Sequence, residues 1–168
     1  METSAELPPV SSTRIAMSVG AVTAALMLVV SAFGWQVVNW IVFLAGIYWG
    51  MKRFKNELGG IIVYFRALSA GFQTAFFASL IMAFFSYVSA TLEPSLIDAT
   101  LATVEQQLKT YSVSSALVEE SVQQWREMLS PMVIAAITIF SYSTIGGLLS
   151  IVFAFFVRNA KPGEFVEY

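Results

Sequence analysis

The chain contains no cysteine and no histidine. That excludes disulfides, thiolate nucleophiles and imidazole bases, and it removes the ligands on which most transition-metal sites depend. Charge is scarce as well. Asp, Glu, Lys and Arg make up 12% of the 168 residues, where an ordinary soluble domain carries about 25%. The formal net charge of -2 gives no electrostatic reason for a nucleic-acid partner. No glycine-rich phosphate loop and no metal-ligand spacing occurs. General acid–base work needs groups gathered in a site with suitable pKa values, yet every acid lies in a tail, in a short basic segment or in one polar loop. The neighbours Glu119 and Glu120 read as a solvated helix face, because adjacent residues on a helix point in different directions. The expectation is therefore a protein that is not an enzyme and has no cofactor and no metal.

Hydrophobic residues take up the remainder, at 57% of the chain. Charge-free stretches cover residues 15–51, 67–92 and 128–157. A membrane-crossing helix needs about 20 predominantly apolar residues, so the first stretch is long enough for two crossings and each of the others for one. Within the first, Gly34, Trp35 and Gln36 read as a tight turn between spans at 15–33 and 37–51. Trp35 and Trp40 near one end of the second span, and Tyr48 and Trp49 near the other, are placed like interfacial anchors. Spans three and four are expected at 67–92 and 131–157, with Ser130 capping the fourth and Pro131 opening it; a continuous helix kinked at Pro131 is the alternative. Residues 1–13 read as a disordered tail rather than a signal peptide, because the flank is not basic and the apolar run is too long.

Lys52, Arg53 and Lys55, with Arg66 shortly after, form the largest cationic group. Short loops rich in Lys and Arg stay in the cytoplasm, and the same four residues are candidate contacts for anionic lipid headgroups. Gly59-Gly60 is expected to break the helix, with residues 61–65 along the interface. The segment 93–130 differs, holding Glu93, Asp98, Glu105, Glu119, Glu120 and Glu127 against only Lys109 and Arg126. That balance fits the outer side and puts both termini inside. Ile97, Leu101, Val104 and Leu108, then Val118, Val122, Trp125 and Leu129, recur at steps of three and four, giving two amphipathic helices that turn within residues 110–115. Pro94 suits the first turn of the earlier helix. Packing of the two on each other and on the bilayer is one reading. A docking face for a partner, carried by Val118, Val122 and Trp125, is the other.

Polar and small residues inside the spans are few. Ser141, Ser143 and Thr144, followed by Gly146 and Gly147, are candidates for helix packing or for lining a pore. Hydroxyls in a span can bond their own i−4 carbonyl, which lowers the cost of placing them there. Ala75 and Ser79, one turn apart, permit close helix approach. Asn39 and Gln73 are the amides in or near the spans.

The stretch from Tyr48 to Gly60, YWGMKRFKNELGG, resembles the basic segment and glycine pair that end the second span of the DUF4199 family. Residues 61–71 and 90–97 resemble that family's entry to and exit from the third span, and the resemblance covers roughly residues 15–160. It implies a small bacterial (Bacteroidetes-type) inner-membrane protein with no assigned activity. The architecture expected is an all-α membrane protein of four transmembrane helices, with an extracytoplasmic amphipathic helical hairpin between the third and fourth. Its bounds are a membrane domain at 14–160, an outer segment at 93–130 and cytoplasmic tails at 1–13 and 161–168. A structural or accessory role is expected, through association with membrane lipids and with itself or a larger membrane complex. The alternative is an oligomeric pore or small transporter using the hydroxyl-rich fourth span.

Overall fold

Six α-helices account for almost all of the described residues in a computed structural model of the chain: α1 Ser12–Ala32, α2 Gln36–Glu57, α3 Tyr64–Leu92, α4 Ser95–Thr110, α5 Ser115–Met128 and α6 Pro131–Val157. The structure describes residues 11–93, 95–110 and 114–159, apart from the side chain of Leu96. The expectations for the tails at 1–10 and 160–168, for Pro94 and for the centre of the turn at 111–113 lie outside those residues. Among the described residues there is no strand.

Three helices, α1, α3 and α6, are long and apolar enough to cross a membrane. The chain is thus an all-helical membrane protein. α2 is not one of the three. Gln36 and Asn39 at one end and Lys52, Arg53, Lys55 and Glu57 at the other leave it a shorter apolar middle. The basic segment beyond the expected span at 37–51 is the last turn and a half of α2, which ends just before Gly59-Gly60. Helix propensity explains this, because Lys, Arg and Glu are good helix formers whatever their hydropathy. Gly59 and Gly60 then stop the helix at φ 76° and 88°, left-handed values that suit glycine. α3 begins at Tyr64, inside the stretch expected along the interface.

The chain divides into two compact units, residues 1–79 with 142–168, and residues 80–141. In the first, α1 and α2 meet along their lengths. A Cβ on Gly46 of α2 would strike the Thr23 side chain of α1, and one on Gly50 would strike Thr74 of α3. Gly20 of α1 lies against the Phe77 Cβ and the backbone of Thr74, all within 3.0 Å of where its own Cβ would be. Gly146 of α6 sits on Ala75 of α3, and Gly71 of α3 on Met51. Lipid tails are as apolar as leucine, so close backbone approach and van der Waals contact, rather than a hydrophobic drive, hold such helices together. The buried hydroxyls in this unit stay satisfied locally. Thr23, Thr74 and Ser150 donate to the carbonyls of Val19, Ala70 and Gly146 at 2.7–2.8 Å, the i−4 bond that lets a polar side chain sit inside an apolar bundle.

In the second unit α4 and α5 lie against each other. Asp98 in the first turn of α4 receives a hydrogen bond from Arg126 in the last turn of α5 at 3.1 Å, so the two run antiparallel. Leu101 and Val118 are buried, and Glu105 pairs with Lys109 one turn on. Ser130 accepts from the Val133 N–H at 3.3 Å, and Pro131 is the first residue of α6.

Candidate functional site

The contact sequence in the first unit fixes helix directions. Thr23 meets Gly46, while Gly20 and Gly50 both meet Thr74, so α1 and α2 are antiparallel and Arg14 falls at the end of the unit where α2 stops. Lys55 donates to the Val157 carbonyl at 2.9 Å, which brings the last turn of α6 to the same end. The α2–α3 loop is held there too. Asn159 accepts from the Ile62 N–H at 3.0 Å, donates to the Gly60 carbonyl at 2.8 Å through its side chain, and donates through its backbone N–H to Ile62 at 3.3 Å. Arg14, Lys52, Arg53, Lys55, Arg66 and Arg158 therefore all lie at one end of the unit, where Glu57 is the acid among the described residues.

Of the four candidate headgroup contacts, Lys52, Arg53 and Arg66 are exposed and Lys55 is half-buried. The Lys55 ammonium serves as a cap on the free carbonyls of α6, where a cation is favoured by the helix dipole. Arg53 lies 6.0 Å from the centre of the Trp49 ring. Arg158, which the sequence pattern did not single out, stacks on the Phe155 ring at 4.3 Å, a cation–π distance.

The hydroxyl run of α6 is spread around the helix. Ser143 Oγ is 2.9 Å from Ser79 Oγ, joining α6 to α3. Gly146 is buried against Ala75, with the Phe43 ring near it. Tyr142 stacks on Trp40 at 5.4 Å and meets Phe43 edge-on at 5.2 Å, so Trp40 has a partner within the unit as well as an outward face. Thr144 is exposed, Ser141 and Gly147 are half-buried, and a Cβ on Gly147 would meet only the Phe72 ring at 3.3 Å. The Oδ1 atom of Asn39 and the Oε1 atom of Gln73 are both buried without a hydrogen-bond partner. The Gln73 amide N–H donates instead to Ser69 at 3.3 Å.

Two adjoining hollows run along α6 where it faces α3, and they share Ile151. One, of about 530 Å³, is lined by Phe65, Phe72, Thr144, Gly147 and Leu148 among others. The other, of about 480 Å³, lies nearer the basic end between Tyr64, Phe155, Phe156 and Arg158. The Tyr64 hydroxyl donates to the Ile151 carbonyl at 3.3 Å where the two meet.

A family model described as a protein of unknown function, DUF4199, matches residues 15–159. The chain belongs to the DUF4199 family. No curated protein and no solved structure matches it. The part of this DUF4199 chain that matches starts in α1 and ends at Asn159, so it takes in all six helices and the residue that ties the α2–α3 loop to the end of α6.

In the second unit the three candidate docking residues differ in access. Val118 is 1% exposed and Val122 half-buried, and both line a cleft with Glu105 of α4. Val118 is therefore withdrawn from any partner by the pairing of α4 with α5. Trp125, at 43% exposed, is the member of the trio with an open face.

Proposed function

We propose that this DUF4199 protein is a small structural or accessory component of the bacterial inner membrane, built as a bundle of four spans that associates with itself or with a larger complex. The observation that carries the reading is the composition of the first unit's interior. Its helix contacts are made by glycine against threonine, alanine and methionine, and among the described residues no Asp, Glu, Lys or Arg side chain is buried there. Carriers coupled to ions or protons place ionisable groups within the membrane. An interior of this kind holds helices together and offers no group for proton or ion exchange.

Besides α1, α3 and α6, α2 is read as a span, the second in chain order. It lies antiparallel to α1 with Phe43, Gly46, Ile47, Gly50 and Met51 buried, and a helix packed along a crossing helix occupies the same depth. The basic end is read as cytoplasmic by the distribution of Lys and Arg, which puts both termini inside and the α4–α5 pair outside. The pore reading would need copies to meet on the face of α6 that carries Thr144, because Ser143 and Gly146 are engaged with α3.

The test is the native mass of the protein extracted together with its surrounding lipid. A reproducible second protein, or a fixed number of copies without ion conductance, supports the accessory reading. Single copies throughout refute it. A closed ring that conducts ions after reconstitution replaces it with the pore.

A further inference from the structure

The two hollows beside α6 form one groove with an apolar length and a cationic mouth. From Ser143 to Arg158 the chain rises about 22 Å at ~1.5 Å per residue, which spans the ~15 Å hydrocarbon depth of one leaflet and reaches into the headgroup region. Phe65, Phe72 and Leu148 give the inner part its walls, and Gly147 keeps it open by having no side chain. At the mouth, Arg158 is held over Phe155 with Phe156 and Tyr64 beside it. The lining of the larger hollow, about 530 Å³ in volume, is almost wholly apolar, which suits a hydrocarbon chain. A positive mouth suits a phosphate, and a guanidinium presents a planar fork to phosphate oxygens.

We infer that this groove binds one anionic phospholipid, with its phosphate at Arg158 and one acyl chain lying along α6 past Gly147. The site is separate from the exposed Lys52 and Arg53, which attract anionic lipid without selecting a chain. Its occupant is a lipid of the bilayer and not a helix of a second copy.

The full chain, placed in nanodiscs of phosphatidylcholine with a minority of phosphatidylglycerol, is released for native mass measurement. One phosphatidylglycerol is expected to remain on each copy, in excess of its share of the bilayer. Arg158→Gln is expected to lower that enrichment about fivefold, the factor for losing one cation beside an anionic lipid, while a lipid of either kind is still retained. Gly147→Leu is expected to lose the retained lipid altogether. Thr144→Trp, which fills the same groove from an exposed position, is expected to do so even if Gly147→Leu fails to fold. The double variant Lys52→Gln/Arg53→Gln is expected to retain phosphatidylglycerol as the unaltered chain does. Retention without preference for phosphatidylglycerol would overturn the inference. So would loss of the preference in the double variant but not in Arg158→Gln. A lipid-free dimer that Thr144→Trp splits would overturn it too, by giving the groove to a second copy.

Discussion

Replacing Gly46 with alanine puts the packing account at risk in one position. In an exposed helix interior the change stabilises by up to about 1 kcal/mol, because alanine is the better helix former. Here the added Cβ would lie against Thr23 Oγ1 and Cγ2 and 2.9 Å from Thr23 Cβ. Thr23 has nowhere to turn. It is 2% exposed, its hydroxyl donates to the Val19 carbonyl at 2.8 Å, and a β-branched residue in a helix has few rotamers. The helices must therefore separate. Overpacking a filled interior costs about 1–3 kcal/mol, and conflict with three atoms of one stiff residue belongs at the upper end. Less the helix gain, Gly46→Ala should destabilise by about 2 kcal/mol. Adding Thr23→Ala removes the two closest atoms and leaves the 2.9 Å approach of the residue 23 Cβ. The double variant should then recover most of the loss, giving a coupling of about 1–2 kcal/mol, within the range for residues in contact. The assay is unfolding in mixed micelles with increasing denaturing detergent, followed by helical circular dichroism. A Gly46→Ala protein as stable as the unaltered one, or effects that simply add, would refute the reasoning.

Two other contacts give predictions of different size. Asn159→Ala removes two side-chain hydrogen bonds to the α2–α3 loop, and at about 0.5–1.5 kcal/mol each the loss should be about 1–3 kcal/mol, with faster hydrogen exchange at the Ile62 N–H. The Ser79–Ser143 pair should show a coupling of only about 0.6 kcal/mol in a double-alanine cycle, the usual value for a hydrogen bond between helices in a membrane, because Ser79 also donates locally to the Phe76 carbonyl. A coupling above about 2 kcal/mol would mean that the pair, and not glycine packing, holds α3 to α6.

The features written into single residues were the legible ones. A charge-free stretch bounded by Ser130-Pro131 and Arg158 names a helix that runs Pro131–Val157. Gly59-Gly60 marks a stop because left-handed backbone suits glycine. Ala75 and Ser79 pointed to a close helix contact, and they meet Gly146 and Ser143. That contact lies within one chain, so leucine at Ser79 or Gly146 would disturb the fold of the unit and not association between copies. Features that depend on distant partners were not legible. Lys55 reads as one of a basic cluster until Val157, 102 residues away, is placed beside it. Arg158 and Asn159 look like the polar end of a span, and Thr23 and Thr74 like stray hydroxyls, because nothing local shows which glycine each faces. By hydropathy the second span ends at Met51, yet the helix runs on through Glu57 to the stop at Gly59-Gly60. Hydropathy reports the solvent around a helix, whereas propensity decides whether the helix continues.

The central claim is four crossings with the basic end inside, and the absence of native cysteine makes it directly measurable. Single variants Trp35→Cys, Asn56→Cys and Gln106→Cys each place one thiol at an exposed position, between α1 and α2, at the end of α2, and on α4. Each is exposed to a membrane-impermeant maleimide in right-side-out and inverted inner-membrane vesicles. The account predicts that Trp35→Cys and Gln106→Cys label in right-side-out vesicles and Asn56→Cys only in inverted ones. Labelling of Trp35→Cys and Asn56→Cys from the same side would contradict it, because α2 would then not cross the membrane.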